Sequence, residues 1–169
     1  MRMTNWEGHK LDIYLPDTGK SSHKVVVLIY GSAWFANNMK QNAFQVFGRS
    51  LLDKGFAVVS INHRSSRDAK FPAQINDVKA AIRFIRANAA KYKLDTSFIG
   101  ITGFSSGGHL ASLAGTTNGV KSYTIGDKTV DLEGNVGEYF SFSSRVDAVV
   151  DWFGPIDMTR MENCNTLKG

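Results

Sequence analysis

Ser97-Phe98-Ile99-Gly100-Ile101-Thr102-Gly103-Phe104-Ser105-Ser106-Gly107-Gly108-His109-Leu110-Ala111 decides how the rest of the chain is read. Its first six residues have the continuous apolar and small character of a strand covered on both faces, as a parallel sheet between helices requires. The strand is expected to break sharply at Gly103, and His109 to Ala114 has helical character. Between strand and helix lies Gly103-Phe104-Ser105-Ser106-Gly107, which matches G-x-S-x-G. Such a turn holds its serine in a strained backbone conformation and lifts the hydroxyl above the sheet. Residues two positions away on either side must therefore be small, which Gly103 and Gly107 satisfy. The helix that follows aims its N-terminal amides and positive dipole end at the point where an oxyanion would form. The plain alternative is a glycine-rich turn with an incidental serine. The flanking strand and helix weigh against it.

Working outward, Leu11 to Leu15 alternates apolar and polar side chains before Pro16, Asp17 and Gly19, a half-buried strand entering a turn. Val25 to Tyr30 is a second fully buried strand. Asn42 to Lys54 places Phe44, Phe47, Leu51 and Leu52 at helical spacing, with Gly55 as the stop. Phe56 to Ile61 is the next buried strand, followed by a loop from Asn62 to Lys70. Beyond Phe71 and Pro72 a long helix carries an apolar stripe of Ile75, Val78, Ile82, Ile85 and Ala89. Val120 to Ser144 is richer in glycine and polar groups and reads as an irregular excursion with a short hairpin. Asp147 to Phe153 is the last strand, stopped by Gly154 and Pro155. Alternation of strands and helices predicts an α/β fold with a mostly parallel sheet wrapped on both faces.

The chain has 169 residues, 43% of them hydrophobic and 21% charged, enough for one domain with a real core. No apolar run approaches the roughly 20 residues needed to cross a bilayer. The first ten residues lack the apolar stretch of a signal peptide, which leans the expectation toward the cytoplasm. A net charge of +5 comes from lysines and arginines scattered singly, so a solvated surface is expected and not a nucleic-acid site. The single cysteine, Cys164, has no partner for a disulfide and no metal-ligand spacing around it. No metal and no cofactor are expected.

A second motif, Tyr30-Gly31-Ser32-Ala33-Trp34, directly follows the Val25 strand. Small residues here let backbone amides approach a bound carbonyl, and the expected oxyanion donors are the amides of Ser32, Ala33 and Ser106. An ordinary loop with Trp34 as a core anchor is the alternative. The two motifs, joined by the stretch from Ser60 to Arg86 and followed by Gly107-Gly108-His109-Leu110-Ala111, resemble bacterial α/β-hydrolase esterases near the hormone-sensitive-lipase-like branch. The feruloyl and acetyl xylan esterase group is the most similar. Val149 to Asp157 also resembles that group's strand after the nucleophile helix, so the resemblance covers nearly the whole chain. It implies the N-terminal two-thirds of an α/β-hydrolase domain, with Ser105 as nucleophile.

Two departures stand out. The family usually has His-Gly-Gly where this chain has Tyr30-Gly31-Ser32, so the hydrogen bonding of the loop differs. The family's acid and histidine follow later strands, in the order Ser, then Asp or Glu, then His, and neither is expected before Gly169. Among the residues present, His109 matches a packed helical position in the family and His63 sits in a loop with local hydrogen bonds. His9 and His23 are expected at the surface, and Asp77, Asp151 and Asp157 as structural carboxylates.

The expected activity is hydrolysis of carboxylic esters, short-acyl or carbohydrate-linked, through an acyl-enzyme on Ser105. A formamidase of the same fold is one alternative, and a noncatalytic hydrolase-like binding module is another. The expected partner is a small-molecule or carbohydrate ester, with neither nucleic acid nor membrane. Residues 1 to 169 alone are expected to be inactive. The strand near Asp147 to Phe153 is expected to form an open sheet edge that invites pairing with another chain.

Overall fold

Val25 to Ile29 carry two apolar faces on one strand, and the chain builds a layer against each. The computed structural model describes residues 7–161, so Cys164 lies outside the described residues. In chain order the elements are a short 3-10 turn at Glu7–His9, β1 (Leu11–Tyr14), β2 (His23–Ile29) and α1 (Lys40–Ala43), which runs through a wider π turn (Phe44–Gly48) into α2 (Arg49–Asp53). Next come β3 (Ala57–Ile61), α3 (Ala73–Ala87), β4 (Leu94–Phe104), α4 (Ser106–Thr116), the hairpin strands β5 (Ser122–Ile125) and β6 (Lys128–Asp131), and β7 (Ala148–Trp152). Five strands form one sheet in the order β1-β3-β2-β4-β7, parallel except for β1.

Period-two alternation along β2 sorts the core. Val25, Val27 and Ile29 pack with Ile99, Ile101 and the inner faces of α3 and α4, including Ile75, Val78, Ile82, Leu110 and Ala111. Val26, Leu28 and Tyr30 face the opposite side, against Ala43, Phe44, Phe47, Leu51 and Leu52. Each such aliphatic side chain contributes on the order of 1.5–3 kcal/mol by leaving water, so the two clusters fix which helix covers which face.

The element boundaries moved where tertiary pairing overrode local pattern. β4 begins at Leu94, ahead of the expected Ser97, because Leu94 is buried and pairs with His23 across an irregularity between Lys24 and Val25. It also does not break at Gly103. Gly103 stays in the ladder between Ile29 and Asp151, and the chain turns only at Ser105. α4 starts at Ser106, earlier than the expected His109. The helix expected over Asn42 to Lys54 is interrupted by the π turn, where the Phe44 ring lies over Gly48 and stacks on Tyr14 at 3.7 Å between centroids. The excursion after α4 holds the expected hairpin.

Two buried cations of α3 fasten that excursion. Lys79 donates to the carbonyls of Thr117 and Val120, each at 3.0 Å, and Arg83 pairs with Glu133 while donating to the Val136 carbonyl. Full burial of such charges is tolerated because each is paired. β7 forms the sheet edge, with Val150 half exposed, and pairs with no strand on its outer side among the described residues.

Candidate active site

The chain runs from β2 outward to β3 and then crosses back to β4 on the other side of β2. The direction of winding therefore reverses between β2 and β4, and the crevice at the carboxyl ends of such strands is where open α/β sheets bind ligands. Both sequence motifs lie there.

Ser105 occupies the turn with φ 54° and ψ −127°, a left-handed conformation that an L-residue adopts only under constraint. The constraint is visible on both sides. Its amide donates to the Trp152 carbonyl at 3.0 Å, continuing the ladder with β7, and its own carbonyl accepts the His109 amide at 3.1 Å, starting α4. A methyl group at Gly103 would stand 2.8 Å from the Ile29 carbonyl oxygen, and one at Gly107 would stand 2.5 Å from that of Tyr30. The two motif glycines thus let α4 and β4 close directly onto the backbone of β2.

Gly31 brings the second motif against the first, since a methyl group there would meet the Phe104 carbonyl oxygen at 2.6 Å and Ser105 Cβ at 2.8 Å. The Ser32 amide donates to the Ser106 hydroxyl at 2.9 Å. This revises the expectation for Ser32: its amide is already engaged by the Ser106 side chain, which reaches it because Ser106 is buried at the start of α4. Among the described residues, the amides of Ala33 and Ser106 donate to no protein acceptor. Ala33 and Trp34 both have positive φ, 48° and 61°, so the loop coils tightly next to Ser105.

Tyr30, where the resemblance led to a histidine, is fully buried, donates its hydroxyl to the Ala36 carbonyl at 3.1 Å and stacks on His63 at 4.8 Å between centroids. Burial pushes its phenol well above the ordinary range. His63 is equally buried, its Nδ1 lies 2.9 Å from the Arg64 carbonyl, and burial lowers its pKa, with that carbonyl and Asp77 opposing. Arg64 binds Asp77 through both carboxylate oxygens and tethers the loop after β3 to α3.

His109 packs edge-on against Trp34 at 5.5 Å, and its Nδ1 lies 2.9 Å from the Pro155 carbonyl. Burial lowers its pKa, against the pull of that carbonyl and Asp151. Among the described residues neither imidazole ring hydrogen-bonds the Ser105 hydroxyl; His109 meets Ser105 only through the backbone bond that starts α4. Asp151 accepts the Gly154 amide at 2.7 Å and the Ser112 hydroxyl at 2.7 Å, and Asp157 accepts the Thr159 amide. All three carboxylates expected to be structural have local donors. The expectation of surface positions for His9 and His23 fails: His23 is buried at the start of β2, and His9 lies 3.3 Å from the buried Asp77. Both belong to short polar segments whose burial is decided by distant elements.

A cavity of about 490 Å³ opens beside the Ala33 loop, lined by Trp34, Phe35, Phe71, His109, Leu113 and Met158. No group of three or more His, Cys, Asp or Glu side chains able to hold a metal occurs among the described residues. Among them, too, no helix is long and apolar enough to cross a membrane.

Sheet order, the strained Ser105 turn between β4 and α4, and the loop after β2 define an α/β-hydrolase fold. The BD-FAE family model matches residues 11–169, and the chain belongs to that family. A solved structure described as a bifunctional GH43-CE of Bacteroides eggerthii is 91% identical with a TM-score of 0.92, covering 97% of this chain and 23% of that one. A truncated form of a carbohydrate esterase from gut microbiota is 65% identical with a TM-score of 0.92, covering 94% of this chain and 56% of that one. Esterase LipQ of Mycobacterium tuberculosis is 33% identical over 143 residues, covering 85% of this chain and 31% of its own length.

Proposed function

We propose that the protein containing this chain hydrolyses carboxylic esters through an acyl-enzyme on Ser105. The observation that carries this reading is the Ser105 turn, a strained serine at the carboxyl end of β4, at the start of α4 and at the reversal point of the sheet. The esterase names of the relatives agree with it. Ser105 Oγ attacks the ester carbonyl carbon, the carbonyl π pair moves to oxygen, and the resulting oxyanion lies between the Ala33 and Ser106 amides. A base takes the Ser105 hydroxyl proton and returns it to the leaving oxygen as the intermediate collapses and the C–O bond breaks, releasing the alcohol. Water, deprotonated by the same base, then attacks the acyl carbon and frees the acid, the proton returning to Ser105 Oγ. The positive end of α4 adds to the oxyanion's stabilisation. The Ser32 amide, held on Ser106 Oγ, fixes the loop in place.

The chain spans less than a third of LipQ's length, and the acid and base that would activate Ser105 are assigned to the remainder of the protein. That remainder would also cover the outer edge of β7. Short-acyl or carbohydrate-linked esters are the proposed substrates, in line with the carbohydrate esterase among the similar structures.

The test is Ser105→Ala in the full-length protein, assayed on p-nitrophenyl acetate, acetylated xylose and a formyl-amide. Loss of about 10⁶ in kcat on the esters, with thermal unfolding unchanged, is the expected result. Turnover near the parent rate in the folded variant overturns the assignment, and preference for the formyl-amide replaces esterase with formamidase.

A further inference from the structure

Five non-glycine residues among those described have positive φ: Ala33, Trp34, Lys93, Ser105 and Phe153. Lys93 sits in the turn before β4. The other four stand at the carboxyl ends of β2, β4 and β7, three adjacent strands. Ser105 and the Ala33–Trp34 loop are already placed in the proposed reaction, which leaves Phe153.

Phe153 is next to Ser105 by register. Phe104 pairs with Trp152, and the Ser105 amide donates to the Trp152 carbonyl, so the following residue on β7 lies beside the nucleophile one strand away. At φ 49° it adopts a backbone that glycine would take freely and a bulky residue resists. Its neighbours hold it there. The Asp151 carboxylate accepts the Gly154 amide and the Ser112 hydroxyl, Gly154 packs on the start of α4, and the Pro155 carbonyl meets the His109 ring. Trp152 turns the other way and stacks on Phe47 at 5.4 Å. Phe153, between these fixed points, is 78% exposed as a residue. Among the described residues Phe153 belongs to neither core cluster, so its strained backbone is set by the bonds of its neighbours and not by burial of its ring in this part of the sheet.

We propose that Phe153 is a specificity-determining residue, a wall on the β7 side of Ser105 that limits which ester substituent fits. This rests on the esterase reading above. The Ala33 amide approaches the oxyanion from the β2 side of Ser105, and the acyl and alcohol groups leave the carbon in other directions. The β7 side, where the register places Phe153, is left to one of them.

The experiment uses the full-length protein with Phe153→Ala, Phe153→Leu and Phe153→Gly. Ser105-dependent turnover by the parent is measured first and tests the function by itself. Phe153 is then judged on two ratios of kcat/KM: p-nitrophenyl octanoate over acetate for the acyl side, and acetylated xylose over p-nitrophenyl acetate for the alcohol side. Phe153→Ala and Phe153→Gly are expected to shift at least one ratio by about tenfold or more, and Phe153→Leu to return it toward the parent. Glycine suits the left-handed backbone, so that variant keeps the test open if the alanine variant does not fold. Both ratios within about threefold of the parent in cooperatively unfolding variants would overturn the proposal.

Discussion

Gly107→Ala puts the smallest side chain where α4 meets β2. The new methyl group would stand 2.5 Å from the Tyr30 carbonyl oxygen and 2.8 Å from the Ile29 carbonyl carbon, and it would also meet the Ile29 carbonyl oxygen. All three are backbone atoms of a central strand's end, so no flexible side chain can swing away. Replacing glycine by alanine inside a helix gains up to about 1 kcal/mol of propensity, while overpacking a filled site costs about 1–3 kcal/mol. With three backbone overlaps the cost wins, and a net loss of about 1–2 kcal/mol is expected. Relief of the overlap must push α4 from β2, which carries Ser105 and Ser106 away from the Gly31–Trp34 loop. A displacement near 1 Å at a reacting group costs about 10²-fold in rate. The assay is urea unfolding of the full-length protein beside p-nitrophenyl acetate turnover, with Gly100→Ala as control, since the nearest atom to a methyl group there is 3.4 Å away on the Phe98 ring. A Gly107→Ala variant as stable and as active as the parent, or no worse than Gly100→Ala, refutes the claim that these glycines set the geometry.

Ser106→Ala keeps the Ser106 amide and removes only the hydroxyl that accepts the Ser32 amide, so kcat on p-nitrophenyl acetate should fall about tenfold, with about 1 kcal/mol of stability lost in urea titration; unchanged kcat would mean that this hydrogen bond does not position the loop. Burial lowers the pKa of both His63 and His109 below the ordinary 6.5. As pH falls through 6.5 the unfolded chain takes up protons that the folded chain refuses, so stability is complete above that value and declines below it. Urea midpoints between pH 8 and about 5 should decrease on acidification, and His63→Phe should flatten part of that slope; a midpoint independent of pH in the parent contradicts the burial argument.

The layers of the fold were legible because β2 and β3 carry continuous, mostly β-branched stretches, Val25 to Ile29 and Ala57 to Ile61 broken only by Ser60, and because the stripe Ile75, Val78, Ile82 and Ile85 needs a sheet to face. The serine turn was legible because its glycines answer a steric demand that is local in sequence. What was not legible depends on contacts between distant residues. The Ser32 amide meets a hydroxyl 74 residues away, and no spacing rule in either motif announces it. Leu94 joins β4 because His23 pairs with it, although polar Asp95, Thr96 and Ser97 follow. Burial of His23 has the same origin. Phe153 looked like a strand end before Gly154 and Pro155, since its left-handed backbone is imposed by Asp151 and by the packing of Gly154 on α4.

Covalent trapping tests the role of Ser105 most directly. The full-length protein, treated with a p-nitrophenyl alkylphosphonate during ester turnover and then digested, should lose activity in step with the gain of one phosphonyl group per chain, and the modified peptide should be the one containing Ser105. Stoichiometric inactivation with the adduct on any other residue, or full ester turnover by a chain whose Ser105 is already modified, would contradict the account.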